Sequence, residues 1–417
     1  MMSGTNNVLE VFREDKDGPM LVGQAFFTRR RRSVSTTFVY DSGFLASGNI
    51  AIDPSLPLVS GAQHYPGLVG AFGDSAPDRW GRNLINKAMR AGHAENLQAV
   101  RELDELDYFL GVSDNTRQGA LRFRWQGTEN FLGADSSVPP LMELPALLEA
   151  ARSVVNDDEP LHAVKLLLDT GSTGLGGARP KAAVRLDDGA LGLAKFPHSA
   201  DEWDVMAWEA TALDLLEASG VSVPQRRLVS VGNRHVLIVR RFDRDEAGNR
   251  FGYISAMTAT GSSDGERLDY LDILDALRDL AAAPDAQARE LFVRVVVSVA
   301  LGNTDDHLRN HGFLERERGW ELSPVFDVNP RPELAQPRET SILGEDQFPA
   351  EVGVLREFGA LCGIEGAAFE AIISTVVEAV SQWEARASGH GIRLRDRDLM
   401  RTALDARVLA LRDVLRS

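Results

Sequence analysis

Gly302-Asn303-Thr304-Asp305-Asp306-His307-Leu308-Arg309-Asn310, with Ser323-Pro324-Val325-Phe326-Asp327 a short distance beyond it, decides how this chain is read. An aspartate followed five residues later by an asparagine, then by another aspartate behind an apolar stretch, is the spacing that phosphoryl transfer uses to hold a nucleophile and its metal ions. Such chemistry asks a protein mainly to position groups and to stabilise charge. Asp305 would accept the proton of an attacking hydroxyl, while Asn310 and Asp327 offer the hard oxygen atoms that Mg2+ prefers. Composition alone does not separate Asp305 from Asp306; the offset to Asn310 selects Asp305. Two rivals stand beside this reading. His307 and His311 suggest a hydrolytic metal site, although the glutamate of a His-Glu-x-x-His pair is missing, because Leu308 and Arg309 follow His307. The other rival is an Asp-capped structural loop.

Immediately upstream, Leu291-Phe292-Val293-Arg294-Val295-Val296-Val297-Ser298-Val299-Ala300-Leu301 is apolar nearly all round, which predicts a helix buried at the centre of its lobe and ending at Gly302. Further upstream comes Thr170-Gly171-Ser172-Thr173-Gly174-Leu175-Gly176-Gly177-Ala178-Arg179-Pro180-Lys181, followed by a strand, a turn at Asp187-Asp188-Gly189, and a second strand ending at Lys195-Phe196-Pro197. Glycines let backbone N–H groups approach phosphate oxygens, and Lys181 or Lys195 can neutralise them. The segment sits on a hairpin, not at a helix entrance, and lacks the Gly-Lys-Ser/Thr of a Walker motif. Lys195 stands at the strand end where protein kinases carry their phosphate-binding lysine. A helix over 203–219, closed by Gly220, contains Glu209, read either as a partner for Lys195 or as an exposed glutamate. The apolar strand Val236-Leu237-Ile238-Val239 runs into Arg240-Arg241-Phe242-Asp243-Arg244, a hinge candidate in which Asp243 and Arg244 could equally form a structural ion pair.

Residues 1–60 alternate short apolar runs with turn residues, as small strands do, and Arg29-Arg30-Arg31-Arg32 reads as a solvated hairpin tip. Gly73-Asp74-Ser75-Ala76-Pro77-Asp78-Arg79-Trp80-Gly81-Arg82 leads into a helix through Leu84, Ile85 and Met89, and reads as a cap with an aromatic anchor. An amphipathic helix is expected over 141–155, with a domain boundary near 135–145. Beyond Gly261 the pattern is mainly helical, over 268–280, 286–301, 350–362, 367–390 and 396–415. The 417 residues imply more than one domain, and 44% hydrophobic with 25% charged residues describes a folded chain, not a disordered one. A net charge of −16 disfavours nucleic-acid binding. The single cysteine, Cys362, excludes an internal disulfide and a multi-cysteine zinc site. A polar N-terminus and the lack of any apolar run of the roughly 20 residues needed to span a bilayer point to the cytoplasm, with no membrane partner.

Together these motifs resemble the HipA family of serine/threonine kinases, the toxins of HipA–HipB toxin–antitoxin systems. The resemblance rests on Phe72-Gly73-Asp74-Ser75-Ala76-Pro77-Asp78-Arg79-Trp80-Gly81-Arg82, Gly176-Gly177-Ala178-Arg179-Pro180-Lys181, Lys195-Phe196-Pro197, Arg241-Phe242-Asp243-Arg244, the stretch from Asn303 to Asn310, and Pro324-Val325-Phe326-Asp327. It implies an α+β, two-lobed protein-kinase-like fold: a β-rich N-terminal domain over 1–140, an N-lobe over 141–245 and a helical C-lobe over 246–417. By position, Asp305 matches the catalytic aspartate, Asn310 and Asp327 the metal ligands, Lys195 the ATP lysine, and Gly176, Gly177, Ala178, Arg179, Pro180 and Lys181 the phosphate loop. Arg240, Arg241 and Phe242 match the adenine hinge, and His307 and Phe326 the lining of the nucleotide pocket. The resemblance implies ATP and Mg2+ as cofactors and a protein substrate of the aminoacyl-tRNA synthetase or translation-factor class. It also implies a separate HipB-like DNA-binding antitoxin, since no helix-turn-helix module is evident in this chain. The alternative is a kinase-fold binding module that has lost catalysis and serves as a partner- or antitoxin-binding subunit; intact Lys195, Asp305, Asn310 and Asp327 favour the enzyme. In one respect the chain departs from the family: toxins of this type can be switched off by autophosphorylation of a serine just before the phosphate loop, and here Ser172 is the nearest candidate, displaced by about two residues from that position, which Gly174 occupies.

Overall fold

The computed structural model describes residues 8–15, 18–30, 33–96, 102–134, 137–156, 160–172 and 177–416. The chain divides into two compact units, one formed by residues 1–200 and 238–254, the other by 201–237 and 255–417. Among the described residues no helix is long and apolar enough to cross a membrane.

In the first unit the alternating pattern of the N-terminal stretch folds into a five-stranded sheet, in the order Ala62–Tyr65, Ser33–Tyr40, Gly18–Arg30, Val8–Asp15, Leu121–Trp125. All four pairings are antiparallel, and the first two strands slip register between Val11 and Phe12. Of the four arginines read as a hairpin tip, Arg31 and Arg32 lie outside the described residues, while Arg29 pairs with Asp107 at 2.9 Å. One face of the sheet buries Phe38, Phe72, Phe109 and Phe123 in a chain of edge and stacked contacts 4.7–6.1 Å apart. Burying rings of this size supplies much of a small module's hydrophobic stabilisation. The fully buried guanidinium of Arg117 lies over Phe109 and Phe123 and donates to the carbonyls of Ser75, Phe109 and Val112.

The same unit contains the helices Leu144–Asn156 and Pro160–Asp169 and the antiparallel hairpin Lys181–Arg185/Leu191–Lys195. The helix over 160–169 has no counterpart in the sequence reading, because Asn156-Asp157-Asp158-Glu159-Pro160 interrupts the apolar period with residues that signal a turn as readily as a helix start. After the strand Arg234–Arg240, the Arg241 N–H donates to the Leu191 carbonyl at 3.0 Å and continues the hairpin's edge.

The second unit is mainly helical. Its centre is Pro284–Leu301, whose Leu291, Phe292, Val295, Val296, Val297, Val299, Ala300 and Leu301 are all fully buried, as a pattern apolar nearly all round requires. Around it pack Tyr270–Leu280, Leu355–Leu361, Gly366–Val380 and Leu394–Val414. The expected helices over 350–362 and 367–390 are each broken in two, at Val354 and at Ser381-Gln382. Arg294 interrupts the apolar surface of the central helix, and its burial is balanced by Glu290 at 2.7 Å and the Ser323 carbonyl at 2.7 Å. Glu209 lies in Val205–Ala218 and is buried, not exposed.

Candidate catalytic loop and phosphate-binding elements

The central helix ends at Gly302, which adopts φ 63°, a left-handed conformation that costs an L side chain roughly 1–2 kcal/mol. A Cβ there would also come within 2.8 Å of Arg407 Nε. The turn redirects the chain without taking it out of the core: Asn303, Thr304 and Asp306 are buried, and Asp305 between them is exposed. A short turn, Leu308–Asn310, then returns the chain, and Asn310 Nδ2 donates to the Asp305 backbone carbonyl at 3.1 Å. With its nitrogen engaged there, Asn310 keeps the carbonyl oxygen of its side chain as a donor atom for a cation.

Asp306 faces inward. The Tyr270 hydroxyl and Ser298 Oγ donate to it, the latter at 3.0 Å, and His311 Nε2 lies 3.1 Å from its other oxygen. Burial alone would raise its carboxyl, but His311, Tyr270 and Arg338 outweigh that and hold it well below the usual carboxylate range. Adjacent carboxylates thus have separate fates: Asp306 anchors the loop and Asp305 is presented. Behind the anchor, Arg338 donates to Ser298 Oγ at 2.6 Å and to Glu351 at 2.5 Å, and Arg407 donates to the other Glu351 oxygen at 2.6 Å. Nothing in the local spacing announces this layer, because its members are spread from 270 to 407. His311 is turned to Asp306, and among the described residues no group of three or more His, Cys, Asp or Glu stands together as a metal site.

The hairpin Gly312–Arg316/Gly319–Leu322 carries the chain from Asn310 to Asp327. It closes with a Ser323 N–H bond to the Gly312 carbonyl at 2.7 Å. Asp327 has φ 57°, uncommon for a residue with a Cβ and frequent at functional sites. Two residues later the Asn329 N–H donates to Asn303 Oδ1 at 3.1 Å, so the Asp327 segment is tied directly to the candidate loop 303–310. Buried atoms here lack a protein partner: Asn303 Nδ2, Thr304 Oγ1, His307 Nδ1 and Asn329 Oδ1. Such orphans are what a site built around water or ions leaves behind. An amide oxygen and a carboxylate on two segments held together fit the all-oxygen preference of Mg2+.

The phosphate-loop candidates lie in the first unit. Gly176 lies outside the described residues; Gly177, at φ 101°, begins the described part, Ala178 is exposed and Pro180 buried. Lys195 ends its strand, buried, directly opposite Lys181 in the hairpin register. Lys181, which closes the phosphate-loop candidate, has its ammonium 3.1 Å from Asp78 Oδ2 with the side chain almost wholly buried, and its carbonyl accepts from Trp80 Nε1 at 2.9 Å. Asp78 and Trp80 were legible only as a cap and an anchor. At the hinge candidate, Arg241 and Arg244 both pair with Asp243, at 2.5 and 2.8 Å, and Asp243 also accepts the Gly119 N–H at 2.8 Å. Arg240 pairs with Asp188, and the Phe242 ring lies 6.5 Å from that of Tyr253. Arg240 and Arg241 line a cleft of about 740 Å3 with Arg185, Arg244 and Arg250. Ser172 is wholly buried, its hydroxyl 2.5 Å from that of Thr170.

Against known proteins, a family described as the HipA-like C-terminal domain matches residues 173–383. A Haemophilus influenzae protein that carries a kinase name is 26% identical over 161 residues, 33% of this chain and 45% of that protein. The kinase-named Y4mE of Sinorhizobium fredii is 26% identical over 180 residues, 37% of this chain and 41% of that one. The chain therefore spans less than half the length of these curated relatives. Among solved structures, HipA of Shewanella oneidensis MR-1, from its complex with HipB and operator DNA, superposes with a TM-score of 0.67 at 16% identity, over 97% of this chain and 96% of that one. That likeness establishes an α+β, kinase-like fold.

Proposed function

The chain belongs to the HipA family, whose C-terminal domain matches half of it, and from that premise we propose that it is an ATP- and Mg2+-dependent serine/threonine protein kinase. The observation that carries the proposal is the division of labour in the catalytic loop: Asp306 is locked into the core by Tyr270, Ser298 and His311, while Asp305 is exposed with its carbonyl held by Asn310. Asp305 takes the proton of the substrate hydroxyl as it attacks the γ-phosphate, and the terminal phosphoryl group passes from ATP to that oxygen, leaving ADP. Asn310 and Asp327 would hold Mg2+, which supplies charge neutralisation at the transferring phosphate. Lys195 and the segment from Gly176 to Lys181 would hold the ATP phosphates, and the backbone at Arg240, Arg241 and Phe242 would meet the base. His307 and Phe326 would line the nucleotide pocket.

The Shewanella relative is complexed with HipB and operator DNA. By analogy, this chain acts as the toxin of a toxin–antitoxin pair, in the cytoplasm, with a separate HipB-like partner making the DNA contacts. Its substrate is a protein of the translation apparatus, of the aminoacyl-tRNA synthetase or translation-factor class. The deciding experiment measures ATP binding and phosphate transfer with Mg2+ for the wild type and Asp305→Ala. Binding by both with transfer only by the wild type supports the kinase. Binding without transfer by either supports a catalytically inactive binding module, and absence of binding overturns the reading.

A further inference from the structure

The arginine-lined cleft lies wholly within the first unit, and its floor is short of counter-charge. Asp243 is shared by Arg241 and Arg244, and Asp114 by Arg122 and Arg250, with Glu14 as a further partner of Arg122. Arg117, wholly buried nearby, donates to backbone carbonyls and to the Ser75 hydroxyl but meets no carboxylate. Five guanidinium groups therefore stand against three carboxylates. Burial pulls the Arg244 guanidinium down to about 9, and the like charges of Arg241 and Arg250 act in the same direction against Asp243.

Arg250 supplies an independent sign. Its side chain is only 10% exposed, its Nη2 donates to Asp114, and its Nη1 is buried with no hydrogen-bond partner. A buried charged donor in this state costs stability until an acceptor reaches it. At the mouth, Arg185 donates to the Gly189 carbonyl at 2.8 Å and makes no ion pair among the described residues. The acidic groups of the rim do not cancel this excess. Asp188 is committed to Arg240, Asp245 accepts the backbone and side-chain N–H groups of Asn249 at 2.8 and 2.7 Å, and Glu246 is exposed, where water and salt screen it.

We propose that this cleft binds a small phosphate-bearing anion, at a site apart from the one that holds the ATP phosphates. Its volume of about 740 Å3 is that of a small-molecule pocket, not of a groove for an extended chain. Arginine forks take phosphate oxygens two at a time, and a phosphate group carries up to about two charges, enough to meet the uncompensated pair. Arg240 and Arg241 serve both readings with different atoms: their side chains line the cleft, while their backbone would meet the base. Occupancy of the cleft does not depend on the kinase reading.

The test titrates inorganic pyrophosphate into the Mg2+-free protein by calorimetry at constant ionic strength, for the wild type, Arg185→Gln, Arg250→Gln and Lys195→Met, with melting temperatures alongside. The expected result is a single site in the wild type, weakened about tenfold or more in Arg250→Gln, about three- to tenfold in Arg185→Gln, and held within about twofold in Lys195→Met. Arg185 is exposed, so its variant decides the matter should Arg250→Gln fail to fold. AMP, titrated likewise, separates the sources: tighter binding of AMP assigns the cleft to nucleotides, tighter binding of pyrophosphate to inorganic phosphates, and either sustains the proposal. Absence of binding by both probes at about millimolar concentration overturns it. So does affinity lost in Lys195→Met but kept in both arginine variants, or binding of a polyglutamate peptide alone.

Discussion

The side-chain amide of Asn310 donates to the backbone carbonyl of Asp305 at 3.1 Å, so the proposed base and a proposed metal ligand form one rigid turn. Asp305 itself is exposed, and its carboxylate adds little to folding. Asp305→Asn is expected to lower kcat by about 10²–10⁴-fold, the usual contribution of a general base, while thermal unfolding stays within about 0.5 kcal/mol of the wild type. Single-turnover transfer and calorimetry check the two halves of that statement.

Asp306 should behave in the opposite way. Its folded carboxyl is held below the range of an unfolded aspartate, so it contributes stability that is fully present above about pH 4 and is lost as pH falls toward its depressed folded value. Asp306→Asn is expected to destabilise the protein at pH 7 and to flatten the acid limb of its stability curve. Urea titrations between pH 3 and pH 7 measure both.

Glu351 separates two buried guanidinium groups, those of Arg338 and Arg407. Removing its charge leaves both without their shared counter-ion, and breaking a buried pair in this way typically costs about 3–5 kcal/mol. Glu351→Gln should therefore unfold at markedly lower urea. It should also weaken transfer, because Arg338 reaches the Asn303 carbonyl at 3.3 Å.

Gly302→Ala places a methyl group in a left-handed residue and against Arg407. A loss of about 2 kcal/mol or more is expected from the backbone term and the displaced guanidinium together. Because Gly302 opens the proposed catalytic loop, kcat should fall with it; stopped-time transfer assays beside denaturant unfolding follow the two effects.

Ser172 is wholly buried and its hydroxyl is engaged with Thr170. In the folded protein it is expected to stay unmodified during incubation with ATP and Mg2+. Phosphopeptide mapping that finds Ser172 phosphorylated would require the segment to open.

By itself the sequence determined the elements whose meaning is local. The run 291–301, apolar nearly all round, reads as a buried central helix ending at Gly302, and the offset from Asp305 to Asn310 pairs the two in one loop, because hydrophobic period and short-range spacing survive in the linear order of residues. The hairpin bearing Lys181 and Lys195 was legible for the same reason. What the tertiary structure alone decided were the charges. Asp305 and Asp306 are chemically identical neighbours, and only packing against Tyr270, Ser298 and His311 makes one an anchor. Lys181 pairs with Asp78, 103 residues away in the chain, which no local spacing announces. The role of a charged side chain depends on its burial and on its nearest opposite charge, and both are set by residues far apart in the chain.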